Sequence, residues 1–251
     1  MLRFACVLAA ATAFAAAAHA APDERAFALF ESGQLQAAAE TAADAGGAEN
    51  LALAARSLNA LAYLQTDNAV GRAIAKDALD YAEAAIKADN ALVEGHLQAA
   101  ISLAQRGSRM AALRAFFLGI ADRARAELDD ALAHEPNNPW ALSSSAAWHL
   151  EVARRVGAGR FGSDPDLGYR QFMAARDADP DNLLIAYECA LRLIAYDEAE
   201  WRADGFAALD AVLAGEPSGA FESAIRKRAE AFAAALAAGR KAERKFIDAQ
   251  P

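Results

Sequence analysis

Apolar residues return along this chain at alternating steps of three and four positions, the spacing of one face of an α-helix. The polar residues between them would cover the opposite face. We therefore predict a succession of amphipathic helices. The two clearest apolar series are Val93-Leu97-Ala100-Ile101-Ala104 and Leu113-Phe117-Ile120-Ala124-Leu128-Ala131.

A short pattern recurs where these predicted helices end. An Ala-rich stretch runs into an acidic residue that is usually followed by Pro or Asn, and a new helix then begins. The acidic positions Asp89, Glu135, Asp179 and Glu216 are 46, 44 and 37 residues apart, and a fainter copy lies at residues 42–46. Two-helix repeat units have about this length, and self-similarity at such a period is typical of helical solenoids.

The pattern divides the chain into five helix pairs and a final helix that would cap the array. Asn138-Pro139 and Asp164-Pro165 each place a capping side chain before a proline at the first helical position. The repeats are assigned to residues 23–46, 48–90, 91–136, 137–180 and 181–217, with the capping helix at 219–248. The predicted helices span residues 23–32, 35–45, 50–65, 71–88, 91–105, 110–134, 139–156, 166–178, 182–196, 201–214 and 221–247.

Composition agrees with an all-α fold. Hydrophobic residues make up 55% of the 251 and charged residues 24%, which is enough apolar material for a packed core. Much of it is Ala, the strongest helix former, and β-branched residues are sparse. We expect one domain over residues 21–251, built as a right-handed α-α superhelix of about five helix pairs.

The first twenty residues are predicted to be a secretory signal peptide. Arg3 is their only charge, an apolar run extends from Phe4 to Ala18, and Ala18-His19-Ala20 matches a small-residue cleavage site. We expect cleavage after Ala20, with an uncleaved anchor as the alternative. The mature chain would then be periplasmic or secreted and contain no integral membrane segment.

Charge and cysteine content narrow the class of partner. The net charge is −9 and would become −10 without Arg3, so non-specific nucleic-acid binding is not expected. Cys189 would be the one cysteine of the mature chain, which excludes an intramolecular disulfide. An exported protein without a disulfide framework fits a bacterial-type periplasm.

Residues 31–38, Glu-Ser-Gly-Gln-Leu-Gln-Ala-Ala, resemble the turn inside a tetratricopeptide repeat, in which Gly is followed by an apolar residue and then Ala. With the repeat pattern, the resemblance to tetratricopeptide-like proteins covers residues 23–214, although most consensus Trp, Leu, Gly and Tyr positions are absent. Residues 147–153, 161–162 and 169–172 also resemble the divergent repeats of the regulator of microtubule dynamics family. Both resemblances imply a helical-repeat fold.

Candidate chemistry in the sequence is weak. Residues 157–162 match G-x-G-x-x-G, but a predicted helix precedes them where a dinucleotide site needs a strand. His96, His134 and His149 lack the spacing that puts two metal ligands on one helix face, and we expect surface or boundary positions for them. Cys189 lies among apolar helical neighbours and is predicted to be core. We therefore predict no catalytic residue, no cofactor and no metal.

The function expected from these features is non-catalytic binding of a protein or peptide in the concave groove of the superhelix. Aromatic and Arg side chains are the usual anchors of such interfaces. The candidates are Trp140, Trp148, Arg160 and Phe161. The two tryptophans point about 80° apart on their helix, so one is expected in the core and the other in the groove. The alternative is a small-molecule-binding accessory of a solute transporter, whose helices would enclose an apolar tunnel.

Overall fold

The computed structural model describes residues 21–250, apart from the side chains of Ala112 and Leu113, and the predicted signal peptide lies outside the described residues. Thirteen α-helices and one 3-10 turn, and no strand, occur among residues 21–250, which confirms the all-α prediction. The elements are α1 Glu24–Glu31, α2 Leu35–Ala45, α3 Ala48–Leu64, α4 Asn68–Ala88, α5 Val93–Ser108, α6 Ala112–Phe117, α7 Ile120–His134, α8 Pro139–Val156, the 3-10 turn Arg160–Gly162, α9 Pro165–Ala178, α10 Leu183–Tyr196, α11 Ala199–Ala214, α12 Ala220–Ala237 and α13 Arg240–Asp248.

Two helices predicted as continuous are each broken at a glycine. The helix predicted over residues 110–134 divides into α6 and α7, because Gly119 adopts φ 60°. The helix predicted over residues 221–247 divides into α12 and α13 at Gly239, where φ is 96°. Glycine occupies this left-handed region without the steric cost that a Cβ brings. The first break matters most, since Phe117 then leaves the apolar face that Ile120 and Leu128 share.

Helix starts are set by side-chain caps, as the sequence indicates. The Asn138 side chain accepts hydrogen bonds from the backbone N–H groups of Trp140 and Ala141 at the start of α8. Asp164 accepts one from Leu167 at the start of α9. Both predicted caps are therefore confirmed. These bonds satisfy amide groups that have no partner inside the helix.

The recurring acidic pattern marks the C-terminal caps. Asp89, Glu135 and Asp179 follow α4, α7 and α9, and each donates its backbone N–H to an alanine carbonyl four residues earlier. Those alanines, which are Ala85, Ala131 and Ala175, are fully buried. A methyl side chain at this place lets the end of one helix approach the next closely. The repeat therefore encodes a helix end together with its packing contact.

The helices pack in a regular order. Each contacts its neighbours in the chain, and α1, α3, α5, α8, α10 and α12 also contact one another in that sequence, forming a row. The helices that alternate with them in the chain, α2, α4, α7, α9 and α11, pack onto this row, and so does the final helix α13. No helix among residues 21–250 is long and apolar enough to cross a bilayer.

The two ends of the row touch. The Phe30 ring of α1 lies 6.5 Å from the Phe221 ring of α12, and the Tyr63 ring of α3 lies 6.3 Å from the same Phe221 ring. Arg228 of α12 donates a 2.7 Å hydrogen bond to the Tyr63 carbonyl and stacks over the Tyr63 ring. The row of helices thus curves until its first and last members meet.

Candidate partner-binding surface

Large apolar side chains are exposed together beside α6 and after α8. Phe116 is 60% exposed and Phe117 is 76% exposed, and the two rings lie 5.7 Å apart. Phe116 also meets Phe161 edge to face at 6.1 Å. We call the group the aromatic surface. It consists of Phe116, Phe117, Leu118, Val156, Arg160 and Phe161.

A shallow cleft of about 370 Å³ opens in the aromatic surface, lined by Phe116, Val156, Arg160 and Phe161. Contiguous apolar side chains of this size on a surface mark interaction sites, whereas single exposed ones are ordinary. Phe27, Val70 and Phe206 are examples of the second kind, because they lie on three separate helices. The cleft places one cation beside three apolar side chains.

The turn that carries Arg160 and Phe161 owes its shape to glycines. Gly157, Gly159 and Gly162 all have positive φ, and Phe161 itself is held at φ 53°. Gly159 donates its N–H to the Ser163 carbonyl at 2.8 Å, which closes the turn. The G-x-G-x-x-G pattern therefore encodes a tight helix-to-helix turn, and α8 precedes it where a dinucleotide site would require a strand.

An arginine from another helix fixes this turn in place. Arg125 of α7 donates hydrogen bonds to the carbonyls of Phe161 at 3.1 Å and Gly162 at 2.6 Å. A Cβ at Gly162 would overlap the Arg125 guanidinium. The same guanidinium carbon lies 5.5 Å from the centre of the Trp148 ring. Arg125 therefore connects the exposed turn to the core beneath it.

The base of the turn is tied to α8 through His149. The Asp164 backbone N–H donates to His149 Nδ1 at 3.0 Å, and the His149 side chain is buried. Burial lowers the pKa of His149, and the nearby Arg125 lowers it further. The imidazole is therefore neutral near pH 7, and its Nδ1 accepts the hydrogen bond from Asp164. The burial of His149 also corrects the surface or boundary position that the sequence predicted for it.

The four predicted partner-binding residues do not form one site. Trp148 is only 8% exposed and donates its indole N–H to the Ala121 carbonyl at 3.1 Å, so it belongs to the core. Trp140 is half-buried under Arg56, whose guanidinium carbon is 5.7 Å from the ring centre. Trp140 begins α8, whereas Phe161 follows its end. Both side chains pack from outside onto the core cluster that contains Trp148, but Trp140 lies under Arg56 and Phe161 lies against Phe116.

Arg160 and Phe161 are the two predicted residues that the aromatic surface includes. The other four members of the aromatic surface, Phe116, Phe117, Leu118 and Val156, were not among the predicted binding residues. A signal for the first three was present, because three consecutive large apolar residues cannot all lie on one face of an amphipathic helix. Gly119 directly after them was the second signal.

A network of partly buried charges lies between three helices of the row. Glu151 of α8 pairs with Arg154 at 2.9 Å, with Arg155, and with Arg192 of α10 at 3.4 Å. Burial alone would raise the pKa of Glu151, but these three arginines hold it far below its ordinary range. Arg192 also pairs with Glu188, which accepts a 2.8 Å hydrogen bond from the Tyr63 hydroxyl. The network links α3, α8 and α10.

A second polar group joins α5 to α7. His96 is buried, which corrects the surface or boundary position expected for it, and its Nδ1 lies 2.7 Å from Glu127 Oε2. Asp130, one helical turn after Glu127, brings a second carboxylate, and the ligand atoms of the three residues lie within 4.8 Å of one another. His134, at the end of α7, is exposed and stacks its ring 6.0 Å from that of His96.

Cys189 is buried on α10, in agreement with its predicted core position. Burial raises the pKa of its thiol to about 12, which keeps it protonated and unreactive.

Neither protein-family models nor the sequences of characterised proteins match this chain. A proposal for its function therefore rests on its own surfaces.

Proposed function

We propose that this chain is a non-catalytic, exported helical-repeat protein that binds a protein or peptide through the aromatic surface. The observation that carries the proposal is the exposure of Phe116 and Phe117 next to the half-buried Phe161 and to Arg160. Aromatic and Arg side chains are the groups that most often dominate the binding energy of protein interfaces. Export rests on the predicted signal peptide of residues 1–20.

The architecture that we propose is a right-handed superhelix of the tetratricopeptide type. Two observations support it: one set of helices forms a row in sequence order, and the alternate helices pack onto that row. Asp89, Glu135 and Asp179 give three of the five proposed units the same kind of C-terminal cap. Loops on one edge of such arrays commonly carry binding residues.

The site differs from the concave groove expected from sequence. The concave side of a curved row would lie where Tyr63, Glu188 and Arg192 meet, and these side chains are partly buried and already paired with one another. The aromatic surface lies instead at α6 and the turn between α8 and α9. We therefore place the partner on this edge of the array.

The cleft indicates the chemistry of the partner. Three apolar side chains line it, and Arg160 makes no ion pair within residues 21–250. A segment that inserts a large apolar side chain and carries a neighbouring carboxylate would match both features. We propose an acidic, apolar peptide segment of another protein.

The alternative of a small-molecule accessory receives less support. It requires an apolar tunnel between the helices. The space shared by α3, α8 and α10 is occupied by ion pairs among Glu151, Arg192 and Glu188. A ligand there would have to separate charges that are already paired.

Site-specific photocrosslinking in the native cell envelope tests the proposal. A benzophenone side chain at position 117 should crosslink one protein partner, and mass spectrometry should map an apolar segment with a neighbouring Asp or Glu. The same probe at position 206 is the matched control, because Phe206 is exposed on a separate helix. Equal crosslinking at both positions, or none at position 117, would overturn the aromatic surface as the binding site.

The reciprocal variant uses Phe116→Ser with Phe161→Ser in the chain that carries the probe at position 117. We expect the crosslink to fall at least about tenfold, since hot-spot side chains each contribute about 2 kcal/mol or more. A Phe206→Ser variant should leave it unchanged. Circular dichroism of each variant checks that its helix content is unchanged.

A further inference from the structure

We propose that His96, Glu127 and Asp130 form a binding site for one divalent transition metal ion, with Zn²⁺ as the best match. The three side chains come from two helices, α5 and α7, and their ligand atoms all lie within 4.8 Å of one another. Zn²⁺ binds imidazole nitrogen and carboxylate oxygen at about 2.0–2.2 Å, which sets tetrahedral neighbours about 3.4 Å apart. Small side-chain rotations would bring the three atoms to that separation.

The hydrogen bonds of His96 leave its Nδ1 as the atom that would bind a metal ion. Its Nε2 lies 2.9 Å from the Asn90 carbonyl oxygen, which can only accept a hydrogen bond, so the proton of a neutral ring belongs on Nε2. Its Nδ1 then presents a lone pair to Glu127 Oε2, which is 2.7 Å away and is also an acceptor. Two acceptors at this distance need a cation between them, either a proton or a metal ion.

Metal-ligating histidines in proteins usually hold their second ring N–H on a backbone carbonyl or carboxylate, which fixes the tautomer and the ring plane. Asn90 fills that role for His96. The ring is buried, whereas Glu127 is partly exposed and Asp130 is exposed, so an ion can enter from solvent. Asp130 makes no hydrogen bond or ion pair within residues 21–250, and its carboxylate is available as a ligand.

The charges of the group also suit a divalent ion. A neutral imidazole and two carboxylates carry −2 together, which one divalent cation balances. The nearby basic side chains are engaged elsewhere, because Arg123 pairs with Glu83 and Arg125 pairs with Asp129. His134 stacks on His96 and can supply a fourth ligand by rotation of its exposed side chain. Water completes the shell if it does not.

Such an ion would join the start of α5 to the C-terminal half of α7. Because the ligands come from different helices, the metal binds the folded chain in preference to the unfolded one and raises the melting temperature. This prediction is independent of any protein partner. It depends only on the third repeat being folded.

The experiment uses the purified full-length mature chain after removal of metal with a chelator. Zinc chloride is added in isothermal titration calorimetry, and the bound ion is counted by mass spectrometry after desalting. We expect one Zn²⁺ per chain and a higher melting temperature by circular dichroism. Glu127→Gln and Asp130→Asn keep the side-chain shape and should each weaken binding by at least about tenfold, in line with the effects of losing metal-site partners.

Asp122→Asn is the matched control, because Asp122 is an exposed carboxylate on the same helix outside the cluster. It should bind Zn²⁺ like the unmodified chain. Substituting Co²⁺ gives a second readout: a visible absorption band of four-coordinate Co²⁺ should appear and should be lost in His96→Gln. Absence of zinc binding by the unmodified chain, or equal binding by all the carboxamide variants, would overturn the site.

Discussion

Helices α6 and α10 are both strongly apolar, yet one is exposed and the other is core. In α10, Leu183, Ile185, Tyr187, Leu191 and Leu193 are all buried. In α6, Phe116 and Phe117 face solvent. The difference lies in their neighbours: α10 packs extensively against α8 and α11 and also meets α9, α12 and α13, whereas α6 makes only small contacts with α5, α7 and the turn that carries Phe161. An apolar sequence therefore indicates a core or a docking surface according to what covers it.

Truncation of a core residue in α10 should have the largest effect. Leu193→Ala removes a fully buried side chain from the cluster around Phe172 and Phe232 and leaves a cavity. We expect a loss of about 4 kcal/mol in the free energy of unfolding, within the range for buried leucines. Urea denaturation followed by circular dichroism measures it. A loss below about 1 kcal/mol would mean that α10 is not tightly covered and would remove the contrast with α6.

Removing the charge of Glu151, which pairs with Arg192 of α10, should lower the free energy of unfolding almost as much. Glu151→Gln leaves Arg192 of α10 with one carboxylate fewer in a buried setting, and we expect a loss of about 3 kcal/mol at pH 7. Gln keeps the shape of the side chain, so the change reports the charge. Asp80→Asn, which alters an exposed i,i+4 pair with Lys76, should change stability by less than about 0.5 kcal/mol.

The pH dependence of stability follows from the same carboxylate. The folded pKa of Glu151 lies well below its ordinary value of 4.5, so its contribution is present above about pH 4.5 and is lost as the pH falls below that value. We expect the unmodified chain to lose stability between pH 5 and pH 3 more steeply than Glu151→Gln. Parallel pH profiles of the two chains would refute the buried pair as a source of stability.

Substituting a glycine in the turn that carries Arg160 and Phe161 should have an intermediate effect on the free energy of unfolding. Gly162→Ala adds strain at positive φ and a clash with Arg125, and we expect a cost of about 2 kcal/mol. Gly159→Ala also has positive φ, in the left-handed region, but meets no atom within 4 Å, so it isolates the backbone strain at about 1 kcal/mol. Equal costs in the two variants, measured by urea denaturation, would show that Arg125 does not hold the turn.

The smallest effect on stability is expected at α6 itself. Phe117→Ser removes a side chain that is 76% exposed, and we expect a change below about 0.5 kcal/mol. The same variant should reduce partner crosslinking through a probe at position 116. A large destabilisation would show that Phe117 is a packing residue and would remove the reason for assigning it to a binding surface.

The sequence by itself determined the helices and most of their ends. The side chains of caps such as Asn138 and Asp164 accept hydrogen bonds from backbone N–H groups two or three residues away. The buried alanines at the C-terminal ends of α4, α7 and α9 are part of the repeated pattern. Cys189 could also be assigned to the core from its helical neighbours. These features are local, so residue spacing is enough to predict them.

Glycine inside a helical pattern was the point at which local reasoning failed. Gly119 and Gly239 both break helices that were predicted to continue, whereas Gly95, Gly168 and Gly205 lie inside helices. A glycine costs a helix only about 1 kcal/mol relative to alanine, which tertiary contacts can offset or not. At Gly168 and Gly205, close packing against α8 and α10 favours the residue that has no Cβ.

Only the tertiary structure decided which apolar and polar side chains meet. Periodicity gives a face to each helix but does not state what covers it, so it could not separate the buried Trp148 from the exposed Phe117. His96 and Glu127 are 31 residues apart, and Tyr63 and Glu188 are 125 apart. Such contacts depend on how successive helices are stacked and curved, and that geometry is the sum of many packing contacts along the whole array.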